Sequence, residues 1–138
     1  MARGRWLAVL ALCLWPCFSR AAVPEEIAPV LQVLDRFMFA GKEGDAARGA
    51  QLLDMYETSP KKAEREIDAF FKRNSEIFRA YVSISNDLYG YEFTERGFRG
   101  RNVELEGGVD TEVDLGTEFS ARLVFRDQRW RIISLEID

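Results

Sequence analysis

Asp54 and Tyr56 stand two residues apart where a helical stretch runs out, and Tyr81, Tyr89 and Tyr91 follow where the period becomes that of a strand. A carboxylate near phenols is equipment for moving protons on a small molecule. The carboxylate accepts a proton and the hydroxyl supports the oxygen that gains charge. Asp54, Tyr56, Tyr81 and Trp130 are therefore the candidate ligand-binding residues. A plainer reading leaves Asp54 in solvent at a helix end and makes the tyrosines amphipathic edges of a core. The chain has no histidine, so the commonest proton shuttle near neutral pH is missing. No catalytic residue is assigned on this pattern.

Other chemistry is thinner. Glu104, Glu106, Asp110, Glu112 and Asp114 alternate along one stretch, so several share a side. Oxygen ligands suit calcium, but a usable site needs converging loops. Arg122 and Arg126 offer partners, and a solvated ladder of ion pairs is the expectation, with no metal and no cofactor. Arg96, Arg99 and Arg101 form a basic cluster with Phe98 between Gly97 and Gly100. Such a cluster either holds a phosphate, a carboxylate or a partner's acidic patch, or stays a solvated loop. Phosphate loop, nucleophile elbow and dinucleotide fingerprint are absent from the sequence.

Both cysteines, Cys13 and Cys17, lie in the first 21 residues. Arg3 and Arg5 precede an apolar run from Trp6 to Phe18, and Ser19-Arg20-Ala21 supplies a small-x-small cleavage site, the layout of a secretory signal peptide. The run is too short for a membrane span, which needs about 20 apolar residues. A signal at 1–21 leaves a domain at 22–138 without cysteine, and removing Arg3, Arg5 and Arg20 moves the formal charge from −4 to −7. The expected location is periplasmic or secreted, with no membrane span after cleavage. An acidic exported domain is a poor candidate for nucleic acid. A chain of this size buries roughly two-thirds of its unfolded surface, enough for one core held by packing alone.

The elements that must position the candidates follow from periodicity. Ile27, Val30, Leu31, Leu34 and Met38 recur at helical spacing, with Gly41 as the expected stop. Asp45 caps a second helix running to about Tyr56, and Ser59-Pro60 opens a third that continues to about Asn74 or a few residues beyond. From Arg79 the period becomes two. Ala80, Val82 and Ile84 alternate with Tyr81, Ser83 and Ser85, Asn86-Asp87 forms a turn, and Tyr89, Tyr91 and Phe93 mark a second strand. Glu95 to Gly100 reads as a loop, and three strands follow near Arg101–Val113, Thr117–Arg126 and Arg129–Ile137.

A two-residue turn at Asp127-Gln128 pairs Arg126 with Arg129, Phe125 with Trp130, Leu123 with Ile132 and Ala121 with Ser134. A turn at Asp114-Leu115-Gly116 pairs Val109 with Ala121 and Leu105 with Phe125, and sets Glu104 across from Arg126. Both registers gather Leu105, Val109, Phe119, Leu123, Phe125, Trp130 and Ile132 on one face and charge on the other. Arg126 beside Arg129 is an unfavourable pair, eased by Asp127 or Glu104. In this register Ile133, Leu135 and Ile137 fall on the charged face. Either the strand is twisted and well buried, or the N-terminal tail covers them there, or they form the contact of a homodimer through the outer sheet face.

The Gly44-Asp45 helix start, the alternating strand Phe119-Ser120-Ala121-Arg122-Leu123-Val124 and the segment Asp127-Gln128-Arg129-Trp130-Arg131-Ile132 resemble the nuclear transport factor 2-like superfamily, especially its small secreted bacterial members. The resemblance covers most of residues 27–138. It implies an α+β fold: about three N-terminal helices packed on a curved antiparallel sheet of four to five strands, a cystatin-like cone. Many members insert a short strand between the second and third helices, and none is evident between Tyr56 and Pro60. The functional expectation is an exported non-enzymatic domain that binds a small apolar ligand or an envelope protein partner. A small-molecule isomerase or hydrolase-like enzyme, using the carboxylate and tyrosines in the cone, is the alternative.

Overall fold

The computed structural model describes residues 23–86 and 89–138. The leader expected at 1–21 and Asp87 of the expected turn lie outside them. Helix α1 (Ala28–Glu43) carries Pro in its first turn and buries Val30, Leu34, Phe37, Met38 and Ala40. It runs through Gly41, where the sequence pointed to a stop, and ends at Gly44 in the left-handed region at φ 70°. Gly41 is there for space. A Cβ at that position would lie 2.2 Å from the Phe78 ring, whereas one at Gly44 would meet nothing.

Asp45 caps α2 (Ala46–Gln51), its side chain accepting from the Arg48 amide. This helix stops five residues before Tyr56 because the sheet claims the chain next. The Ile132 amide donates to the Leu52 carbonyl at 2.9 Å and the Asp54 amide donates to the Ile132 carbonyl at 2.8 Å. Leu53 thereby forms a one-residue parallel bridge with Ile132. Ser59 caps α3 (Pro60–Arg73), and the expected single helix divides at Asn74 to leave α4 (Ser75–Ala80). The Asn74 side-chain amide donates to the Phe70 carbonyl, competing for a helix acceptor. Among the described residues, four helices thus stand where three were expected.

The strands are β1 (Tyr81–Ser85), β2 (Tyr91–Gly97), β3 (Gly100–Thr111), β4 (Thr117–Arg126) and β5 (Arg129–Ile137). All pair antiparallel in one curved open sheet ordered β1-β3-β4-β5, with β2 also on β3. The twelve-residue β3 is long enough to take β2 along Gly100–Leu105 and β1 along Gly108–Thr111. The expected loop at Glu95 to Gly100 is instead a hairpin in which Gly97 faces Gly100.

The helices pack on one face of this sheet, giving an α+β fold. Leu105, Val109, Phe119, Leu123, Trp130 and Ile132 join the helical residues in the core. Phe37, Phe70, Phe71 and Phe78 fill the helix side, with ring centroids 4.9 to 6.5 Å apart. No helix of the described residues is long and apolar enough to cross a membrane.

Two registers differ from expectation. β3 and β4 pair Leu105 with Ala121 and Glu104 with Arg122, four residues from the expected alignment. A shift of four keeps every side chain on its face, so the core assignment stands for Leu105, Val109, Phe119, Leu123, Trp130 and Ile132, while Phe125, expected in the core, is 39% exposed near the sheet end. β5 is different. The expected pairing holds from Arg126–Arg129 through Leu123–Ile132, and then a bulge leaves Ile133 unpaired. Ala121 meets Leu135, not Ser134, and Phe119 meets Ile137. One extra residue exchanges the two faces. Leu135 and Ile137 therefore pack against the core, which corrects their placement on the charged face. A bulge at Val82 does the same in β1: Tyr81 is fully buried and Val82 is half exposed.

Candidate functional site

Asp54 sits where the chain leaves the edge of β5, and it is not in solvent. Its side chain is only 2% exposed, and both oxygens accept hydrogen bonds from arginine. Arg99 Nε donates to Oδ2 at 2.9 Å, and Arg126 Nη2 donates to Oδ1 at 2.6 Å. The Arg99 and Arg126 side chains are 24% and 32% exposed, so a buried carboxylate is held between two partly exposed arginines. The three residues come from the α2–α3 connection, the β2–β3 turn and the end of β4. Charged hydrogen bonds of this kind are roughly twice as strong as neutral ones.

The β2–β3 turn is built to aim Arg99. Arg99 has φ 63° and Gly100 follows at φ 145°. Buried Asn102 clamps the turn by donating its side-chain amide to the Phe98 and Gly100 carbonyls. Gly97 lets Asn102 come that close, since a Cβ there would lie 2.6 Å from the amide carbon. The Arg99 guanidinium lies 4.6 Å from the centroid of the Tyr56 ring, and Phe98 meets Tyr56 edge to face at 5.1 Å. Tyr56 and Phe98 are 46% and 47% exposed. The result is an aromatic and cationic rim over a buried anion.

The structure brings Asp54 and Tyr56 together through Arg99, but not with Tyr81. Tyr81 pairs with Thr111 at the far end of β3, roughly 35 Å of strand from the Arg99 turn. There its hydroxyl donates to Asp35 at 2.5 Å, and Lys42 donates to its carbonyl at 2.6 Å. Burial, and then the bond to Asp35, push the Tyr81 hydroxyl well above the ordinary tyrosine range. Hydrogen bonds to Glu118 and Glu26 also raise the half-buried Tyr89 and Tyr91. Trp130 is buried on the inner face, 5.3 Å from Phe125 and 6.0 Å from Phe93. Arg101 covers Phe93 at 4.2 Å while bonding Glu95. Of the basic cluster, then, Arg99 goes to Asp54, Arg101 goes to Glu95, and Arg96 is exposed.

Surface recesses lie elsewhere. One of about 530 Å³ crosses the outer face of β2 to β5 between Glu92, Glu104, Glu106 and Glu136. Others of about 570 and 430 Å³ lie against the α1–α2 corner and the β3–β4 turn. None of the three is lined by Asp54, Tyr56, Tyr81 or Trp130. Glu104 pairs with Arg122 as a rung of the expected ion ladder, and Ser83 donates to Asp110. Among the described residues, no three acids converge as a metal would require.

Arg126 is the site residue missed by the sequence reading, which had given it to Glu104. The signal was the Arg126–Arg129 pair across a hairpin, a local conflict asking for an acid. Asp54 answers it from 72 residues away. No protein-family model matches the chain, and no curated protein matches it. Among solved structures, the chain is similar to Aln2 from a Streptomyces species, determined at 1.8 Å. The two share a TM-score of 0.54 and 17% identity over 86% of this chain and 93% of that one. At that identity the likeness is one of fold.

Proposed function

We propose that this chain is an exported, non-catalytic domain of the nuclear transport factor 2-like superfamily that holds a protein partner at the rim of Tyr56, Phe98 and Arg99. The observation that carries the reading is the occupancy of Asp54. Both of its oxygens accept from guanidiniums, and its side chain is out of solvent. A general base must keep an oxygen within reach of substrate, so the acid of the presumed proton-transfer pair is committed to structure. Phe37, Phe71 and Phe78 pack ring against ring in the buried core, which favours a partner at the surface over an enclosed apolar ligand. Two exposed aromatic rings and an arginine are the residue types enriched at the centres of protein interfaces.

A second copy on the outer sheet face is a weaker occupant. It would set Glu92, Glu104, Glu106 and Glu136 against their equivalents, with Leu135 and Ile137 turned inward. The test is partner capture from the envelope fraction by residues 22–138, beside a Tyr56→Ala/Phe98→Ala double variant, with intact masses recorded. Capture by the parent and not by the equally stable variant supports the rim; equal capture by both refutes it. For export, the chain recovered from cells should begin near Ala22, and a mass retaining residues 1–21 refutes cleavage.

A further inference from the structure

We infer that Arg99 is an anion subsite within this rim and takes a carboxylate of the partner, an inference that rests on the rim reading above. Three observations converge on that guanidinium. Its backbone is held in the left-handed region, where residues other than glycine cost of order 1 kcal/mol or more and persist only when the surroundings impose them. The Asn102 clamp imposes it here. Its side chain is fixed twice more, by the Nε bond to Asp54 and by the face of Tyr56. Neither contact uses the two terminal amino groups, and no acceptor among the described residues takes them. An arginine side chain that is a quarter exposed and already ordered binds without the usual loss of side-chain freedom.

Charge selects the ligand. Asp54 offsets one of the two arginines, so the cluster carries a net single positive charge. That balances a monoanionic carboxylate. A phosphate dianion would be left half compensated beside a buried acid. The two terminal amino groups match the two oxygens of a carboxylate, a geometry that an ammonium lacks. Tyr56 and Phe98 beside them offer ring faces to whatever carries the acid.

The experiment uses hippurate as probe, a carboxylate joined to an aromatic ring through a glycine amide, with its neutral amide and inorganic phosphate as comparisons. Binding is followed through arginine Nε–H and aromatic NMR signals of residues 22–138 at low salt. Hippurate should saturate with a Kd of about 1–10 mM, as expected for a fragment on an open site, and should shift Arg99 and Tyr56. The amide and phosphate should each bind at least about tenfold more weakly. Arg99→Lys keeps the charge and removes the fork, and should also weaken hippurate about tenfold, whereas Tyr56→Phe keeps the stack and should retain binding.

An amide that binds as tightly as the acid overturns the carboxylate inference and leaves the aromatic rim standing. Phosphate binding tighter than hippurate overturns the choice of anion. Hippurate that fails to saturate by about 50 mM, far above the expected Kd, overturns the subsite. The partner reading is then judged separately by the capture experiment. The comparison of acid, amide and phosphate is made on the unaltered protein, so it does not depend on the folding of any variant.

Discussion

Replacing Asp54 by Ala tests the structural claim beneath the rim. The substitution removes two charged hydrogen bonds, at 2.9 and 2.6 Å, from a side chain that is 2% exposed. Breaking a fully buried charge cluster by deleting one partner costs about 3–5 kcal/mol, because the remaining charge is stranded. Here the stranded arginine side chains are 24% and 32% exposed and recover part of their hydration. The discount brings the expected loss to about 2–4 kcal/mol. For a domain of this size that lowers the melting temperature by roughly 6–15 °C. The assay is urea unfolding followed by circular dichroism, with Glu104→Ala as control. Glu104 pairs with Arg122, but both side chains are about half exposed, so its loss should stay within about 0.5 kcal/mol. An Asp54→Ala variant that loses less than about 1 kcal/mol, within the range of an exposed pair, refutes the buried clamp.

Leu135→Glu should cost about 2–3 kcal/mol while Ile133→Glu costs under about 1, because the bulge turns Leu135 to the core and leaves Ile133 unpaired and partly exposed. Equal urea midpoints for the two would restore the unbulged register. Gly41→Ala gains about 1 kcal/mol of helix propensity but drives a Cβ to 2.2 Å from the Phe78 ring. Overpacking costs about 1–3 kcal/mol, so the net effect should be destabilising, and a higher melting temperature would show that the ring is free to move. The folded form holds the Tyr81 proton to higher pH than the unfolded form does. Its contribution is therefore complete below about pH 10 and is lost as pH rises beyond, at up to about 1.4 kcal/mol per unit. Unfolding titrations from pH 9 to 11.5, on the scale set by the ordinary tyrosine pKa of about 10, should be steeper for the parent than for Tyr81→Phe, and parallel curves would refute the buried bond to Asp35.

The sequence made faces legible wherever errors came in even numbers. The β3–β4 alignment lies four residues from the expected one, yet Leu105 and Leu123 still share the core and Glu104 and Arg122 still share the outer surface. Periodicity reports parity, not register. A bulge is a change of parity, and nothing in the alternation of Ile133, Leu135 and Ile137 announces it. The adjacent Ile132 and Ile133 were the trace it left. Helix ends were legible where a side chain makes the cap, as at Asp45 and Ser59. They were misread where the competing contact is remote. Gly41 admits a ring from α4, and Leu52 to Asp54 bond to a strand about 80 residues on.

The same remoteness explains why the surroundings of Asp54 could not be read from its neighbours in the chain. A carboxylate at a helix end is ambiguous locally: it can face solvent, activate a substrate or anchor a charge. What decides is the company it keeps, and that company arrives from 45 and 72 residues away. Once both arginines are in place, the acid stiffens the rim by tying the edge segment Leu52–Asp54 to two hairpins. Stability and recognition then separate by residue. Tyr56 and Phe98 are half exposed, so truncating them removes contact surface with little effect on folding. On the rim proposed above, the 2%-exposed Asp54 would act on binding only by orienting Arg99. The acid is an internal counter-ion, and the chemistry facing water belongs to the cation it orients.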